Sequence, residues 1–143
     1  MINIKIKRFD KTLPLPEQKT EGAVGFDLYA RTDLVIKPNQ TGVVPLNIAL
    51  QVPDDYWVLL TARSSLHKKG LMLANGVGVG DSDYCGDNDE YRAVLLNFTN
   101  HNVEVKKGER LVQMIIRKKI EVKLEEVNKL NQKNRGGLGS TGE

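Results

Sequence analysis

The sequence has little of what disulfide-stabilised, zinc-binding or membrane-spanning proteins need. It contains one cysteine, Cys85, and two histidines, so neither an intrachain disulfide nor a Cys/His zinc cluster can form. Aromatic residues make up 6% of the chain. No apolar run is long enough to predict a membrane span or a secretory signal. We therefore expect a protein of a reducing, cytoplasmic compartment with no membrane partner.

The residues that are present predict one globular, slightly basic domain. The 143 residues are 40% hydrophobic and 27% charged, which suits a single packed core and argues against a disordered chain. The formal net charge of +3 weakly favours an anionic partner, such as nucleotide phosphates. Because the basic residues form short, scattered clusters, we do not expect a groove for a long nucleic acid.

Alternation of apolar and polar residues predicts an all-β fold. Ile2, Ile4 and Ile6 alternate with polar residues, as in a half-buried strand. Further β-rich runs lie at 24–30, 33–37, 42–52, 56–62, 71–79, 91–98, 101–106, 110–117 and 119–127. About ten short strands separated by turn signals favour a sandwich, jelly roll or barrel. SSLHKKG is the one expected helical turn, with Ser64 or Ser65 as its N-cap.

The C-terminal end differs in composition from the rest. Beyond residue 128 the apolar period is lost and the chain becomes glycine-rich. We expect residues 1–128 to form the β domain and residues 129–143 to form a flexible arm. The glycines of the arm match G-x-G-x-x-G by spacing, but no strand-to-helix unit follows, which excludes a dinucleotide-binding fold. Glycine and hydroxyl residues in succession can still wrap a phosphate group.

A dense acidic stretch, GVGVGDSDYCGDNDE, occupies residues 76–90. Its first aspartates fit a calcium loop, but Cys85 and Arg92 stand where the fifth and twelfth ligands would be, so an EF-hand is excluded. One carboxylate within reach of a water could instead act as a general base. We expect the acidic residues of 87–90 to belong to a solvated turn.

RSSL, at residues 63–66, combines a guanidinium, two hydroxyls and free amides, which suits an anion. It lacks the G-x-S-x-G frame, so a serine nucleophile is not expected. Taken alone, the stretch is more simply a capped turn with Arg63 in a surface ion pair.

Together these stretches follow the order of five motifs of a known family. The chain resembles the trimeric dUTPases in AVGFDLYA (23–30), ARSSL (62–66), NGVGVGDSDYCGD (75–87), GERLVQMI (108–115) and GGLGSTG (136–142). The resemblance implies a distorted jelly roll and a homotrimer with three active sites at its subunit interfaces. It also implies Mg²⁺-dependent hydrolysis of dUTP to dUMP and pyrophosphate by attack of water on the α-phosphorus. Such a reaction removes dUTP from the nucleotide pool and supplies dUMP for thymidylate synthesis.

The third motif carries the chemistry and the base recognition in the family pattern. By resemblance, Asp81 is the general base that activates the water. Asn75 and the backbone around Gly78 belong to a β-hairpin that reads uracil. Tyr84 packs under the deoxyribose and leaves no room for a 2′-hydroxyl. Gly80 departs from the family, which has Ile or Val before the base. We expect either that this loss costs about 1 to 4 kcal/mol of stability and lowers activity, or that a neighbouring side chain fills the gap.

The second, fourth and first motifs bind the phosphates in the family pattern. The resemblance places Arg63, Ser64 and Ser65 near the α- and β-phosphates. It places the Gln113 amide on a phosphate oxygen. Asp27 matches the carboxylate that supports the hydrated Mg²⁺ through a water molecule.

The arm closes over the bound nucleotide in the family pattern. Arg135, Ser140 and Thr141 would lie near the γ-phosphate, with Gly139 beside them. Leu138 stands where the family usually has a phenylalanine over the uracil, a loss of stacking worth about 1 kcal/mol. Arg135 directly precedes the glycine pair, whereas the family usually has an intervening Gly-x.

Two other function classes stay open on the sequence. dCTP deamination occurs on the same fold, but those chains are longer and differ around the third motif, so DSDY and Asn75 argue against it. A non-enzymatic module is the other class, either a binder of single-stranded nucleic acid or a regulatory protein without turnover. The low aromatic content argues against the nucleic-acid binder.

Overall fold

The computed structural model describes residues 2–137, and it confirms the all-β fold. In that range the chain forms eleven strands and one short 3₁₀ helix, Leu66–Lys69. The strands are β1 (Lys5–Arg8), β2 (Phe26–Tyr29), β3 (Leu34–Ile36), β4 (Thr41–Pro45), β5 (Ile48–Gln51), β6 (Tyr56–Ala62), β7 (Leu71–Leu73), β8 (Gly78–Gly80), β9 (Arg92–Asn97), β10 (Val103–Val105) and β11 (Arg110–Lys118). No helix among the described residues is long and apolar enough to cross a membrane.

All strand pairs are antiparallel, and they form four small sheets. The largest has the order β2-β11-β6-β8, and a second has the order β4-β9-β7. β1 pairs with β5, and β3 pairs with β10. β11, the longest strand, lies between β2 and β6 and therefore joins the first, second and fourth motifs in one sheet.

The core lies between the two larger sheets. Alternate residues of β9 are buried, as its period of two predicts. Leu28 and Val58 from the larger sheet and Val44 and Leu95 from the smaller are fully buried. Each such side chain stabilises the fold by about 1.5 to 3 kcal/mol through removal from water.

Two predicted strands are each divided by a residue with positive φ. The run 42–52 breaks at Asn47, which has a φ of 69° and bonds the backbone of Asp10 through its side chain. The run 71–79 breaks at Gly76, with a φ of 72°. Because β7 pairs with β9 and β8 pairs with β6, the two strands lie in different sheets, and the β-hairpin predicted here is wrong.

The predicted strand at 119–127 is also wrong for the described chain. The last backbone bond of this region runs from the Lys119 amide to the Asp55 carbonyl at 2.7 Å. Beyond it the chain forms no strand up to residue 137. Ile120, Val122 and Leu124 keep the apolar alternation, but they are 82%, 77% and 92% exposed, because no sheet edge within the described part of the chain covers them.

SSLHKKG forms the expected turn, with the second of the two predicted serines at its N-cap. Ser65, not Ser64, stands at the N-cap of the 3₁₀ helix, and its side chain makes no capping hydrogen bond. The helix ends at Gly70, whose φ of 78° suits glycine.

Candidate active site

Asp27, on β2, lies at the centre of a buried ion cluster. Its two carboxylate oxygens lie 2.8 Å from Arg63 Nε and 3.0 Å from Arg110 Nη1. Arg63 Nη1 also donates to the Arg110 carbonyl at 3.1 Å. The Asp27 side chain is 8% exposed, and a carboxylate buried to this extent needs such partners. Two guanidiniums and one carboxylate leave a net charge of +1 at this place.

Gln113 lies beside this cluster, between two strands. It is paired with Asp27 on one side and with Thr61 on the other. Its amide nitrogen donates to the Ala62 carbonyl at 3.2 Å. A Cβ on Gly25 would lie 2.3 Å from its Oε1, so the glycine of the first motif makes room for this side chain.

The second motif forms an open cleft next to the cluster. Arg63 and Ser64 line this cleft together with His67 and Gly76. Ser64 and Ser65 are exposed, and their hydroxyls have no hydrogen-bond partner among the described residues. Exposed hydroxyls beside a guanidinium suit the binding of an anion.

The third motif lines a separate cleft of about 260 Å³. Asn75, Gly78 and Tyr84, all predicted to bind the nucleoside, meet there. β8 is the edge strand of its sheet, so its outer backbone groups have no ladder partner in the described chain. Backbone donors and acceptors must find partners when they are covered, so this edge can read the polar groups of a base.

Tyr84 is held by residues that the sequence reading did not assign. Its hydroxyl donates to the Glu90 carbonyl at 3.0 Å. Its ring meets the Tyr91 ring edge-on, with centroids 5.4 Å apart and planes at 85°. Burial raises the pKa of Tyr91 to about 12, with nearby Tyr84 and Asp81 adding to the rise.

Glu90 contradicts the solvated turn expected at 87–90. Its side chain is buried and accepts from Arg31 Nε at 2.7 Å and Nη2 at 2.8 Å. The Asn47 amide donates to the same carboxylate at 3.0 Å. Glu90 raises the pKa of Arg31 through this hydrogen bond. Because Arg31 is 59 positions away in the chain, no local spacing could have indicated this pair.

Tyr91 also fills the space left at Gly80. A Cβ on Gly80 would lie 2.3 Å from the Tyr91 hydroxyl oxygen and 2.6 Å from its Cε1. Gly80 is buried and pairs with Val58 in the sheet. The Tyr91 ring therefore occupies the volume of the missing β-branched side chain, which agrees with the second alternative, that a neighbour fills the gap.

Asp81 follows β8 and lies in a third cleft, of about 440 Å³. The cleft is also lined by Trp57, Lys119 and Val79, and Val79 lines the nucleoside cleft as well. Trp57 is half-buried and faces this cleft. The Asp81 carboxylate is exposed and has no ion-pair or hydrogen-bond partner within residues 2–137.

Asp27 and Asp81 lie at opposite edges of the four-stranded sheet. Three strand-to-strand steps separate β2 from β8, or about 14 Å. Along the strands, Asp27 is level with Thr61, whereas Gly80 is level with Val58. One chain therefore does not bring both carboxylates to the same phosphate group.

The donor set does not suit a resident metal ion. No group of three or more His, Cys, Asp or Glu side chains in the described range could hold one. Both Asp27 oxygens already contact guanidiniums. The carboxylate has lone pairs left for a water molecule, which fits a Mg²⁺ ion that arrives on a triphosphate and keeps its waters.

The predicted arm is only partly described. Arg135 is exposed and in no strand. Leu138, Gly139, Ser140 and Thr141 lie outside the described residues.

Known proteins resemble this chain over nearly its whole length. The family model for dUTPase matches residues 11–142. The deoxyuridine 5'-triphosphate nucleotidohydrolase of Dictyoglomus turgidum is 39% identical over 149 residues, with 99% of each chain covered. The dUTPase of Streptococcus mutans has a TM-score of 0.75 and 28% identity, covering 82% of this chain and 98% of its own. The Staphylococcus bacteriophage 80alpha dUTPase with dUPNHPP has a TM-score of 0.85 and 21% identity, with 99% of each chain covered. The chain therefore belongs to the dUTPase family.

Proposed function

We propose that the protein hydrolyses dUTP to dUMP and pyrophosphate, with Asp81 as the general base that activates a water for attack on the α-phosphorus. The observation that carries this proposal is the exposed Asp81 carboxylate, which has no partner among residues 2–137 and lies directly after the strand that lines the nucleoside cleft. A base must reach a water and be free to accept its proton. An acid locked in ion pairs, such as Asp27, is not free in this sense.

Uracil would be read by the open edge of β8 and by the Asn75 amide. The predicted hairpin is absent, but the role does not require it, because β8 offers a free backbone edge beside Asn75. Cytosine presents the opposite polarity at position four and would leave groups unpaired, at about 1 to 3 kcal/mol each. Tyr84 would pack under the deoxyribose at the same cleft.

The triphosphate would be bound by the positive Asp27 cluster and its neighbours. The net charge of +1 attracts phosphate oxygens, and the exposed hydroxyls of Ser64 and Ser65 can donate to them. The Gln113 amide has a second hydrogen to donate beyond its bond to Ala62. When bound with the nucleotide, Mg²⁺ would neutralise phosphate charge, and Asp27 would accept from its water. Phosphoryl transfer depends mostly on such positioning and charge compensation.

We also propose that the complete site forms at the interfaces of a homotrimer. The separation of Asp27 from Asp81 supports this, since a second chain could bring one motif to the other. The exposed apolar stretch 119–127 needs a partner surface. An apolar groove of about 190 Å³ between β1 and β11 offers one; it is lined by Ile4, Ile6, Leu15, Pro16, Phe26, Leu50, Met114 and Ile116.

The C-terminal arm would then close over the nucleotide. Arg135, Ser140 and Thr141 remain the predicted contacts to the γ-phosphate, with Gly139 beside them and Leu138 over the uracil. Closure excludes water and strengthens the polar contacts inside. In the cell the reaction would clear dUTP and supply dUMP for thymidylate synthesis, and the free Cys85 accords with the cytoplasm as the expected compartment.

The experiment is a pyrophosphate-release assay with dUTP, dCTP, dTTP and UTP in Mg²⁺. We expect turnover of dUTP alone, and a fall in kcat of about 10² to 10⁴ in Asp81→Asn. Asp87→Asn is the matched control, because Asp87 is an exposed acid of the same segment and pairs only with Lys7.

Three outcomes contradict the proposal in different ways. Ammonia released from dCTP would indicate a deaminase. Binding of a single-stranded oligonucleotide without turnover of any nucleotide would indicate a non-enzymatic module. Equal hydrolysis of all four nucleotides would exclude base recognition by β8.

A further inference from the structure

We propose that Tyr91 is the positioning residue that sets how well the site distinguishes deoxyribose from ribose, a role that rests on the proposed function. It would act through Tyr84, the side chain expected to meet the sugar. Both rings line the nucleoside cleft of about 260 Å³. Tyr91 is 6% exposed and Tyr84 is 39% exposed, so Tyr91 is the supporting ring and Tyr84 the contacting one.

Tyr84 has few contacts that could orient it. It lies in the segment between β8 and β9, which forms turns and no strand. Its backbone amide bonds the Asp81 carbonyl at 3.1 Å, and its hydroxyl donates to the Glu90 carbonyl at 3.0 Å. A hydroxyl bond fixes one end of the ring but allows the plane to rotate. The edge-on contact with Tyr91, at 85°, is what fixes the plane.

The backbone of Tyr91 is itself held in place by hydrogen bonds. Its amide donates to the Ile48 carbonyl at 2.9 Å, and its carbonyl accepts from the Leu46 amide at 2.9 Å. Glu90, the preceding residue, is clamped by Arg31 through two hydrogen bonds. The core therefore holds the Tyr91 ring in place through the backbone on both of its sides.

Gly80 is what allows Tyr91 to occupy this position. Any Cβ at residue 80 would collide with the phenol, at 2.3 Å from its oxygen. The absence of a side chain at Gly80, on β8, thus leaves room for the Tyr91 ring. The Tyr91 ring in turn packs against Tyr84 and supports it. Glycine at residue 80, where the family has Ile or Val, would therefore contribute to sugar recognition by making room for Tyr91.

The test compares kcat/KM for dUTP with that for UTP in matched variants, the residual UTP hydrolysis being measured at high enzyme concentration, where a reaction too slow for the standard assay becomes detectable. Tyr91→Leu keeps an apolar side chain but removes the ring, and we expect the dUTP-to-UTP ratio to fall about five- to tenfold, in the upper part of the range of one aromatic pair. Tyr91→Phe keeps the ring, so it is expected to hold the ratio within about twofold of the unaltered protein. Gly80→Ala displaces the ring, and we expect it to lower the ratio as Tyr91→Leu does.

The double variant Gly80→Ala/Tyr91→Leu separates this role from simple destabilisation. With no phenol to displace, the alanine is expected to lower the ratio no further than Tyr91→Leu alone, whereas independent effects would multiply. If a thermal melt shows that Tyr91→Leu does not fold, the proposal is tested by comparing Gly80→Ala with Tyr91→Phe. A dUTP-to-UTP ratio that falls in Gly80→Ala but not in Tyr91→Phe supports it, and equal ratios overturn it.

Two results overturn the proposal. A folded Tyr91→Leu that loses activity toward dUTP and UTP equally would show a structural role only, and the proposed function of the unaltered protein would still stand. An unaltered protein that does not hydrolyse dUTP would overturn the proposed function and this role together.

Discussion

Asp27 and Asp81 are the same residue type at the two edges of one sheet, yet they occupy opposite environments. Asp27 is buried, and both of its oxygens contact arginine side chains. Asp81 is exposed and, within residues 2–137, unpaired. A buried carboxylate is stabilised by its partners and cannot be removed without leaving charges uncompensated. An exposed carboxylate contributes little to the fold and is available to accept a proton. The environments thus suit Asp27 to a stabilising role and Asp81 to the proposed role of proton acceptor.

The largest expected effect on stability tests this contrast directly. We expect Asp27→Asn to lower the free energy of unfolding by about 3 kcal/mol, the lower end of the range for a broken buried pair, because the partly exposed Arg63 and Arg110 would face each other without a carboxylate. Asp81→Asn is expected to change it by less than about 0.5 kcal/mol. Urea unfolding followed by circular dichroism measures both. Equal losses in the two variants would remove the distinction.

Glu90 and Asp87 give a second contrast inside one acidic segment. Glu90 is buried against Arg31, whereas Asp87 is 89% exposed beside Lys7. We expect Glu90→Gln to cost about 1.5 to 3 kcal/mol, the value of hydrogen bonds to a charged group. The same urea titration on Asp87→Asn serves as the control, with a change near zero. A stable Glu90→Gln variant would mean that the buried pair does not anchor this segment.

The buried phenol of Tyr91 leads us to expect a loss of stability at alkaline pH. Burial raises the pKa of Tyr91 to about 12 in the folded protein, against about 10 for an exposed tyrosine. Between these values the unfolded chain has lost the proton and the folded chain keeps it, so stability falls as pH rises above about 10. Thermal melts from pH 8 to 11 measure this fall. Tyr91→Phe lacks the titrating group, and we expect its melting temperature to decline less; parallel declines would contradict the assignment.

The smallest expected change in stability comes from removing the arm. Residues 129–137 are exposed and form no strand. We therefore expect the free energy of unfolding of a chain ending at residue 128 to lie within about 0.5 kcal/mol of that of the full chain. Its kcat/KM for dUTP is expected to fall at least tenfold if the arm closes over the nucleotide. Retained activity in the shortened chain would restrict the catalytic machinery to residues 1–128.

Elements with strong alternation were predictable, and those that depend on a partner were not. β10, predicted within 101–106, is observed at Val103–Val105, where two buried valines flank an exposed glutamate. The run 119–127 has the same alternation but no partner strand in its own chain. The hairpin at Asn75 and Gly76 failed for a related reason: the turn was correctly located, but the two strands pair with other strands. The sequence pattern shows which face of a strand is to be buried, but it does not show which strand pairs with it.

The candidate site divides in the same way. Asn75, Gly78 and Tyr84 are close in sequence, and the fold brings them to one cleft as expected. Arg31, which clamps Glu90, could not be found because its partner is far along the chain. Nor could the sequence show which neighbour fills the space at Gly80.

Residue order was enough to establish the all-β class, the family and the motifs that name the candidate site, because these depend on local periodicity and on the spacing of a few side chains. Only the folded chain showed that Asp27 is held in ion pairs, whereas Asp81 has no partner within residues 2–137. Only the folded chain, too, placed the Tyr91 ring against Gly80. Burial, charge pairing and steric fit are contacts between residues distant in sequence, and strand pairing creates them.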